Sequence, residues 1–349
     1  MYPFSVTTIA NLEIQRQCSR QGCNSRTFFG RDPQLNAPVF IKVVPKHILS
    51  TGGYFREAQI LYASQHPNVM EVRFAAETDN EIVFIMDICA KGSLQQLSEE
   101  RHLTCREIIK YSLEFLNGLH FVHTKGFVHF DIKPSNILLG QNLSALLSDF
   151  GLAKNINNFG FAIPDALYES HRPPESFITQ ELTSLSDIYQ AGVTIYRLCN
   201  GENDYVNQAK SHGDLFRAIR KGSFPDRNKY APHIPSVLRR IVNRSIHVDP
   251  TKRFQTVLDL QNALSNIADT NALDWQFEVV AHNIFRWTKT GINHVICFET
   301  HIFGDHFQSI CNKTNRVTNS SRRIADGCCS LMPIDRWQGY CSEKLETLN

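Results

Sequence analysis

The run His129-Phe130-Asp131-Ile132-Lys133-Pro134-Ser135-Asn136, with Asp149-Phe150-Gly151 thirteen residues after it, decides how this chain is read. One short loop supplies a carboxylate, an ammonium and an amide, and the next turn supplies a second carboxylate. Moving a phosphoryl group off a nucleotide needs that set. One carboxylate positions the attacking hydroxyl, a cation follows the moving group, and an amide plus a carboxylate hold Mg²⁺. Apolar runs precede both turns, Gly126-Phe127-Val128 and Ala145-Leu146-Leu147, so each loop is expected to leave a short buried strand.

Composition limits the alternatives. A chain of 349 residues, 42% hydrophobic, can bury one large core or two to three smaller ones. Its 36 basic and 34 acidic residues are well mixed and leave a net charge of +2. That argues against partners held by bulk charge, so neither nucleic acid nor a membrane surface is expected. No apolar run approaches the roughly eighteen residues of a membrane span. Met1-Tyr2-Pro3-Phe4-Ser5 lacks the basic start and long apolar stretch of a secretory signal. Ten scattered cysteines without CxxC pairs then read as reduced thiols, and a cytoplasmic protein is expected. Cys297, Cys311, Cys328, Cys329 and Cys341 fall near His301 and His306, at spacings that match no common zinc pattern.

The two loops resemble the catalytic and metal loops of the protein kinase family. Further residues in the same order extend the likeness over residues 10–268, and the chain is identified as resembling the eukaryotic-like, serine/threonine type. The resemblance implies an α+β, bilobal fold with a β-rich small lobe (10–86), a hinge (87–91) and a helical large lobe (92–268). It also implies ATP and Mg²⁺ as cofactors and a protein as substrate. Asp131 then orients the acceptor hydroxyl, Lys133 neutralises the transferring group, and Asn136 and Asp149 bind metal. Lys42, in the β-rich run Val39-Phe40-Ile41-Lys42-Val43-Val44, contacts nucleotide phosphates. Glu57, fifteen residues on in a helical pattern, holds that lysine. Ile82–Asp87 reads as a buried strand leading to the hinge, with Met86 as gatekeeper and the backbones of Asp87 and Cys89 at the adenine edge. Residues 104–125 form a helix buried on one face. Asp187 caps the catalytic loop from the large lobe's central helix, and Glu175 of Arg172-Pro173-Pro174-Glu175 pairs with Arg253. The Lys133 position favours Ser/Thr acceptors over tyrosine.

Four departures from the family pattern stand out. Arg20, Gly22 and Ser25 occupy the places of three phosphate-loop glycines, so only Gly22 keeps the freedom that close approach to phosphate needs. Phe40 replaces the small residue that packs over adenine. Phe130 replaces an arginine that would bind an activation-loop phosphate, and residues 152–167 contain no Ser, Thr or Tyr. Both halves of the phosphorylation switch are absent together. Activity independent of that switch is therefore expected, with Phe130 packing against the loop beside Phe159 or Phe161. Tyr168 stands where the family has a bracing threonine; its bulk alters acceptor docking unless the register slips to Ser170.

After Asp269-Thr270-Asn271 the texture changes. Alternation in Trp275-Phe277-Val279, Ile296–Ile302 and Phe307–Cys311 predicts a small antiparallel sheet of three or four strands, and 331–347 has helical spacing. Residues 271–349 are read as an accessory α+β module without an assigned role. The functional reading is a protein serine/threonine kinase. A nucleotide-binding or scaffold pseudokinase is the alternative, supported by the glycine loop, Phe40 and Tyr168. A small-molecule phosphotransferase is disfavoured by the Glu175–Arg253 tie.

Overall fold

The computed structural model describes residues 12–18, 25–48 and 66–348. The small lobe is an antiparallel sheet of β1 (Glu13–Gln17), β2 (Arg26–Asp32), β3 (Ala37–Pro45), β4 (Val72–Glu77) and β5 (Glu81–Met86), in the order β1-β2-β3-β5-β4. β3 lies at the centre because its apolar residues face both ways. Val39, Ile41 and Val43 pack with Ile85 on one side, and Val44 joins Ile82, Phe84 and Met86 on the other. Burial of that kind suits β-branched residues. Gly30 is required where β1 crosses β2, since a Cβ there lies 2.7 Å from the Glu13 carbonyl oxygen.

The large lobe begins with α1 (Leu94–Glu100) and α2 (Cys105–Thr124), each opened by a reciprocal cap, Ser93 with Gln96 and Thr104 with Glu107. Two short pairs follow: β6 (Phe127–Val128) with β9 (Lys154–Asn155), and β7 (Ile137–Leu139) with β8 (Ala145–Leu147). Then come α3 (Leu185–Asn200), α4 (Glu202–Ser211), α5 (Leu215–Lys221), α6 (Ser236–Ser245) and α7 (Val257–Ser265). Every residue of α3 from Ser186 to Asn200 is buried, so this helix is the axis of the lobe. A helix apolar or satisfied all round belongs in a core.

The last part of the chain forms a sheet of six strands, more than the three or four read from alternation. They are β10 (Gln276–Ala281), β11 (Ile284–Thr290), β12 (His294–Phe303), β13 (His306–Asn315), β14 (Ser321–Arg323) and β15 (Cys329–Pro333). The extra strands hid for physical reasons. β14 is exposed throughout and has no apolar face to betray it, and β15 ends on a proline. The helical reading of 331–347 is corrected at its start, where Met332 and Pro333 pair with β13. The helix proper, α8, spans Trp337–Thr347. Trp275, Trp287, Phe298 and Leu345 fill the space between sheet and α8.

This module is tied to the large lobe. The Phe277 ring lies between His102 (4.8 Å between centroids) and His233 (5.2 Å). Gln276 Nε2 donates to the His102 carbonyl at 2.6 Å, and Ser342 Oγ donates to the Pro232 carbonyl at 3.0 Å. Burial lowers the His102 pKa and pulls His233 down to about 3, so both rings are neutral in the fold. Among the described residues, no three His, Cys, Asp or Glu side chains converge as a metal site, and no helix is long and apolar enough to cross a membrane.

Candidate active site

Pairing of β7 with β8 brings the two sequence motifs together. The register Ile137↔Leu147 sets Asn136 beside Ser148, whose N–H and Oγ–H both donate to the Asn136 carbonyl at 2.9 Å. Residues thirteen apart in sequence thereby open onto one cleft.

Asp131 is almost fully buried. Lys133 Nζ lies 2.8 Å from both of its carboxylate oxygens, and Asn136 Nδ2 donates to Oδ2 at 2.7 Å and to the Asp131 carbonyl at 2.9 Å. Charge-assisted bonds of this kind fix a carboxylate more firmly than neutral ones. His129 supports the turn from behind. Its Nε2–H donates to the Ser148 carbonyl, Nδ1 accepts from the Asp131 N–H, and its ring lies 4.7 Å from that of Phe150. Burial lowers its pKa and keeps this neutral form.

The loop rests on α3. Asp187 accepts the N–H groups of His129 and Phe130 at 2.8 Å each and the His123 Nε2–H at 2.7 Å. Gln190 accepts from the Ile132 N–H and donates to the Phe130 carbonyl. Phe130 and Asp149 both have positive φ, 64° and 63°. Non-glycine residues hold such angles where surrounding bonds over-determine them. At Phe130 those bonds come from Asp187 and Gln190.

Lys42 Nζ lies 2.9 Å from Asp149 Oδ1, and the ammonium holds the Asp149 carboxyl down to about 2. The cation and the carboxylate expected to serve phosphate and metal therefore meet across the cleft. Gly22, Arg20 and Glu57 lie outside the described residues, so the expected Lys42–Glu57 pair does too. At the hinge the Asp87 side chain pairs with Arg73, and Cys89 Sγ lies 3.8 Å from Met70 Sδ with its thiol pushed up to about 11, chiefly by burial. Those side chains are occupied elsewhere, and of the hinge backbone the Cys89 carbonyl already accepts the Gly92 N–H at 3.0 Å. Phe40 packs edge-on against Phe29 at 5.8 Å and, with Leu138, against the cluster that contains Met86.

The donor set fits a hard cation. Asp149 is kept ionised, and Asn136 spends its amide N–H on Asp131, which leaves the amide oxygen as a ligand. Two protein oxygens suit Mg²⁺, which takes its remaining ligands from phosphates and water.

The activation segment departs from the expected partners. Phe130 is fully buried with Val128, Ala162 and Leu182, and Leu152, Ile156 and Leu167 pack around them. Phe159, proposed as a partner from sequence, is 83% exposed, and Phe161 is not in the cluster. The turn at Gly160 (φ 85°) carries Phe159 outward. Tyr168 lies over Lys133, ring centroid 4.5 Å from Nζ, so the register does not slip to Ser170. Arg253 makes a two-pronged pair with Glu175 at 2.8 and 2.6 Å, and reaches the Leu185 and His247 carbonyls as well.

One support was missed by sequence reading. His171, fully buried, donates from Nδ1 to the Ile132 carbonyl at 2.9 Å and accepts an Arg197 N–H at Nε2. Arg197 is in turn held by Glu202 at 3.0 and 2.5 Å. Burial first, then the adjacent Arg197, keeps His171 neutral with its pKa well below the ordinary value. Three ordinary polar residues on separate elements carry no local signal of such a chain.

Comparison with known proteins agrees with this geometry. The model of the protein kinase domain matches residues 21–265. The chain is 27% identical over 57% of its length to a probable serine/threonine-protein kinase of Dictyostelium discoideum, covering 12% of that protein. It is 26% identical over 67% of its length to CBL-interacting serine/threonine-protein kinase 10 of Arabidopsis thaliana, covering 49% of it. To the probable serine/threonine-protein kinase PknB of Lactococcus lactis it is 24% identical over 73% of its length, covering 41%. The chain thus spans half or less of the length of each of these relatives.

Proposed function

This chain belongs to the protein kinase family, and we propose that it transfers the γ-phosphoryl group of ATP, with Mg²⁺, to Ser or Thr hydroxyls of a protein. The observation that carries the proposal is Asp131, nearly buried and bracketed by Lys133 and Asn136, opposite the Lys42–Asp149 pair. Asp131 orients the acceptor hydroxyl and receives its proton. Lys133, already at 2.8 Å, shields the charge on the transferring group. Asn136 and Asp149 would hold Mg²⁺, which would supply charge neutralisation at the phosphates, and Lys42 would position those phosphates. Preference for Ser and Thr over Tyr rests on Lys133 and on the relatives being named serine/threonine-protein kinases.

The same reading holds that activity does not depend on activation-loop phosphorylation. Phe130 supplies an apolar anchor where a phosphate-binding arginine would otherwise be needed, and residues 152–167 offer no hydroxyl. A cytoplasmic location is part of the proposal, supported by the scattered free thiols.

Labelled ATP with Mg²⁺ tests the activity, using a generic basic protein and the chain itself as acceptors. Wild type is run beside Asp131→Asn and Lys42→Met. Label lost in both variants, on phosphoserine or phosphothreonine, supports the reading. No label, with nucleotide still raising the melting temperature, replaces it with a nucleotide-binding pseudokinase. Unchanged specific activity after phosphatase treatment supports the loop proposal, and a marked loss overturns it.

A further inference from the structure

The outer edge of β10 lies along a groove between the accessory sheet and the large lobe, with a volume of about 820 Å³. Four consecutive residues, Gln276 to Val279, line it. Side chains alternate across a strand, so a groove touched by all four runs along the strand's edge rather than one sheet face. β10 is the terminal strand of its sheet, and among the described residues no strand pairs with this edge. Of its outer backbone groups, the Phe277 carbonyl is engaged by Gln276 Nε2 at 3.2 Å.

The two sides of the groove differ in chemistry. Phe277, Val279 and Phe285 lie on the sheet face turned toward Trp337, and Val279 is 50% exposed. The opposite side is acidic. Five carboxylates and two cations line the groove. Of the cations, Arg101 is bound by Glu107 and Lys229 by Asp204. Glu202 is spent on Arg197, and Glu278 lies 3.7 Å from an Arg286 that Glu299 already holds, so the exposed carboxylates of Glu100 and Glu278 leave the acidic side dominant.

We propose that this groove binds an extended basic segment of a partner protein, one that adds as a strand to β10, alternating aliphatic residues toward Val279 and Phe285 with Lys or Arg toward Glu278 and Glu100. An open strand edge supplies main-chain bonds, and alternate pockets supply selectivity. Opposite charge guides the encounter. The proposal concerns binding alone, so it stands or falls separately from phosphoryl transfer.

The test uses the full chain and a fluorescein-labelled, end-capped peptide of sequence Arg-Val-Arg-Val-Arg-Val, read by anisotropy. Saturable binding is expected, weakened at least about tenfold in the double variant Glu100→Lys/Glu278→Lys. A peptide with its central Val replaced by Pro, which cannot pair as a strand, is expected to bind at least about tenfold more weakly to wild type. Hydrogen exchange at the β10 amides is expected to slow when the first peptide binds. No saturable binding below about 1 mM overturns the proposal. Charge reversal that changes affinity by less than about twofold also overturns it, because the peptide is then held elsewhere, the catalytic cleft included. A proline peptide bound as well as the parent overturns the strand mode, whatever the variant does.

Discussion

The catalytic loop and the activation segment adjoin at Phe130, yet they are held with different shares of polar bonding and packing. Each turn of the catalytic loop is fixed by directional polar bonds from Asp187, Gln190 and His171. The activation segment combines packing with a short backbone bridge: Phe130 lies against Ala162 and Leu182, which exchange two N–H to carbonyl bonds at 2.8 and 2.9 Å. The difference matches what each must do. Oriented charge demands tolerance well below an ångström, and hydrogen bonds deliver it at fixed angles. Around Phe130 the segment presents no oriented charge, so packing, which is non-directional, carries more of the hold there.

Asp187→Ala probes the polar side hardest. It strands two buried N–H groups and the His123 donor, at about 1–3 kcal/mol each. The melting temperature and the turnover number are both expected to fall. Phe130→Ala probes the apolar side. A fully buried phenyl lost to a cavity costs about 3–5 kcal/mol, but turnover at low temperature is expected to stay within about tenfold of wild type because the bonds to Asp187 are to the backbone. Equal losses of turnover in both variants break the distinction. Asp131→Asn leaves the scaffold intact and is expected to lower turnover on the order of 10²-fold, about 2.7 kcal/mol, with little change in melting temperature.

A smaller effect comes from pH. His102 and His233 have folded values below the ordinary 6.5 or so, so the unfolded chain binds more protons between about pH 6.5 and pH 3. Their contribution is fully present above that window and is lost as pH falls through it. Thermal unfolding followed across the window is expected to show that decline, and a flat profile contradicts it. Least of all, Tyr168→Thr removes a ring–cation contact worth about 0.5–1 kcal/mol. A change in acceptor KM of less than about tenfold, with turnover nearly constant, is the expected outcome in steady-state kinetics.

Much of this site could be read from the chain. Asp131, Lys133, Asn136, Asp149 and Lys42 sit on short elements whose apolar flanks announce them, and Asp187, Glu175 and Arg253 follow from the resemblance to the protein kinase family. Other features could not be read. The Phe130 partners were misplaced because an exposed ring at Phe159 and a buried alanine at 162 look the same or worse in a list of apolar residues. β14 and β15 lack an apolar alternation, so the accessory sheet looked smaller than it is.

The sequence by itself determined which chemical groups are present and in what order, because motif residues are local and their spacing survives in one dimension. Only the tertiary structure decided that Lys42 faces Asp149, that His171 links Ile132 to Arg197 and Glu202, and that β10 leaves an acidic, aromatic groove open. Those pairings join residues from separate elements. Their partners are selected by packing and burial, which no local pattern records.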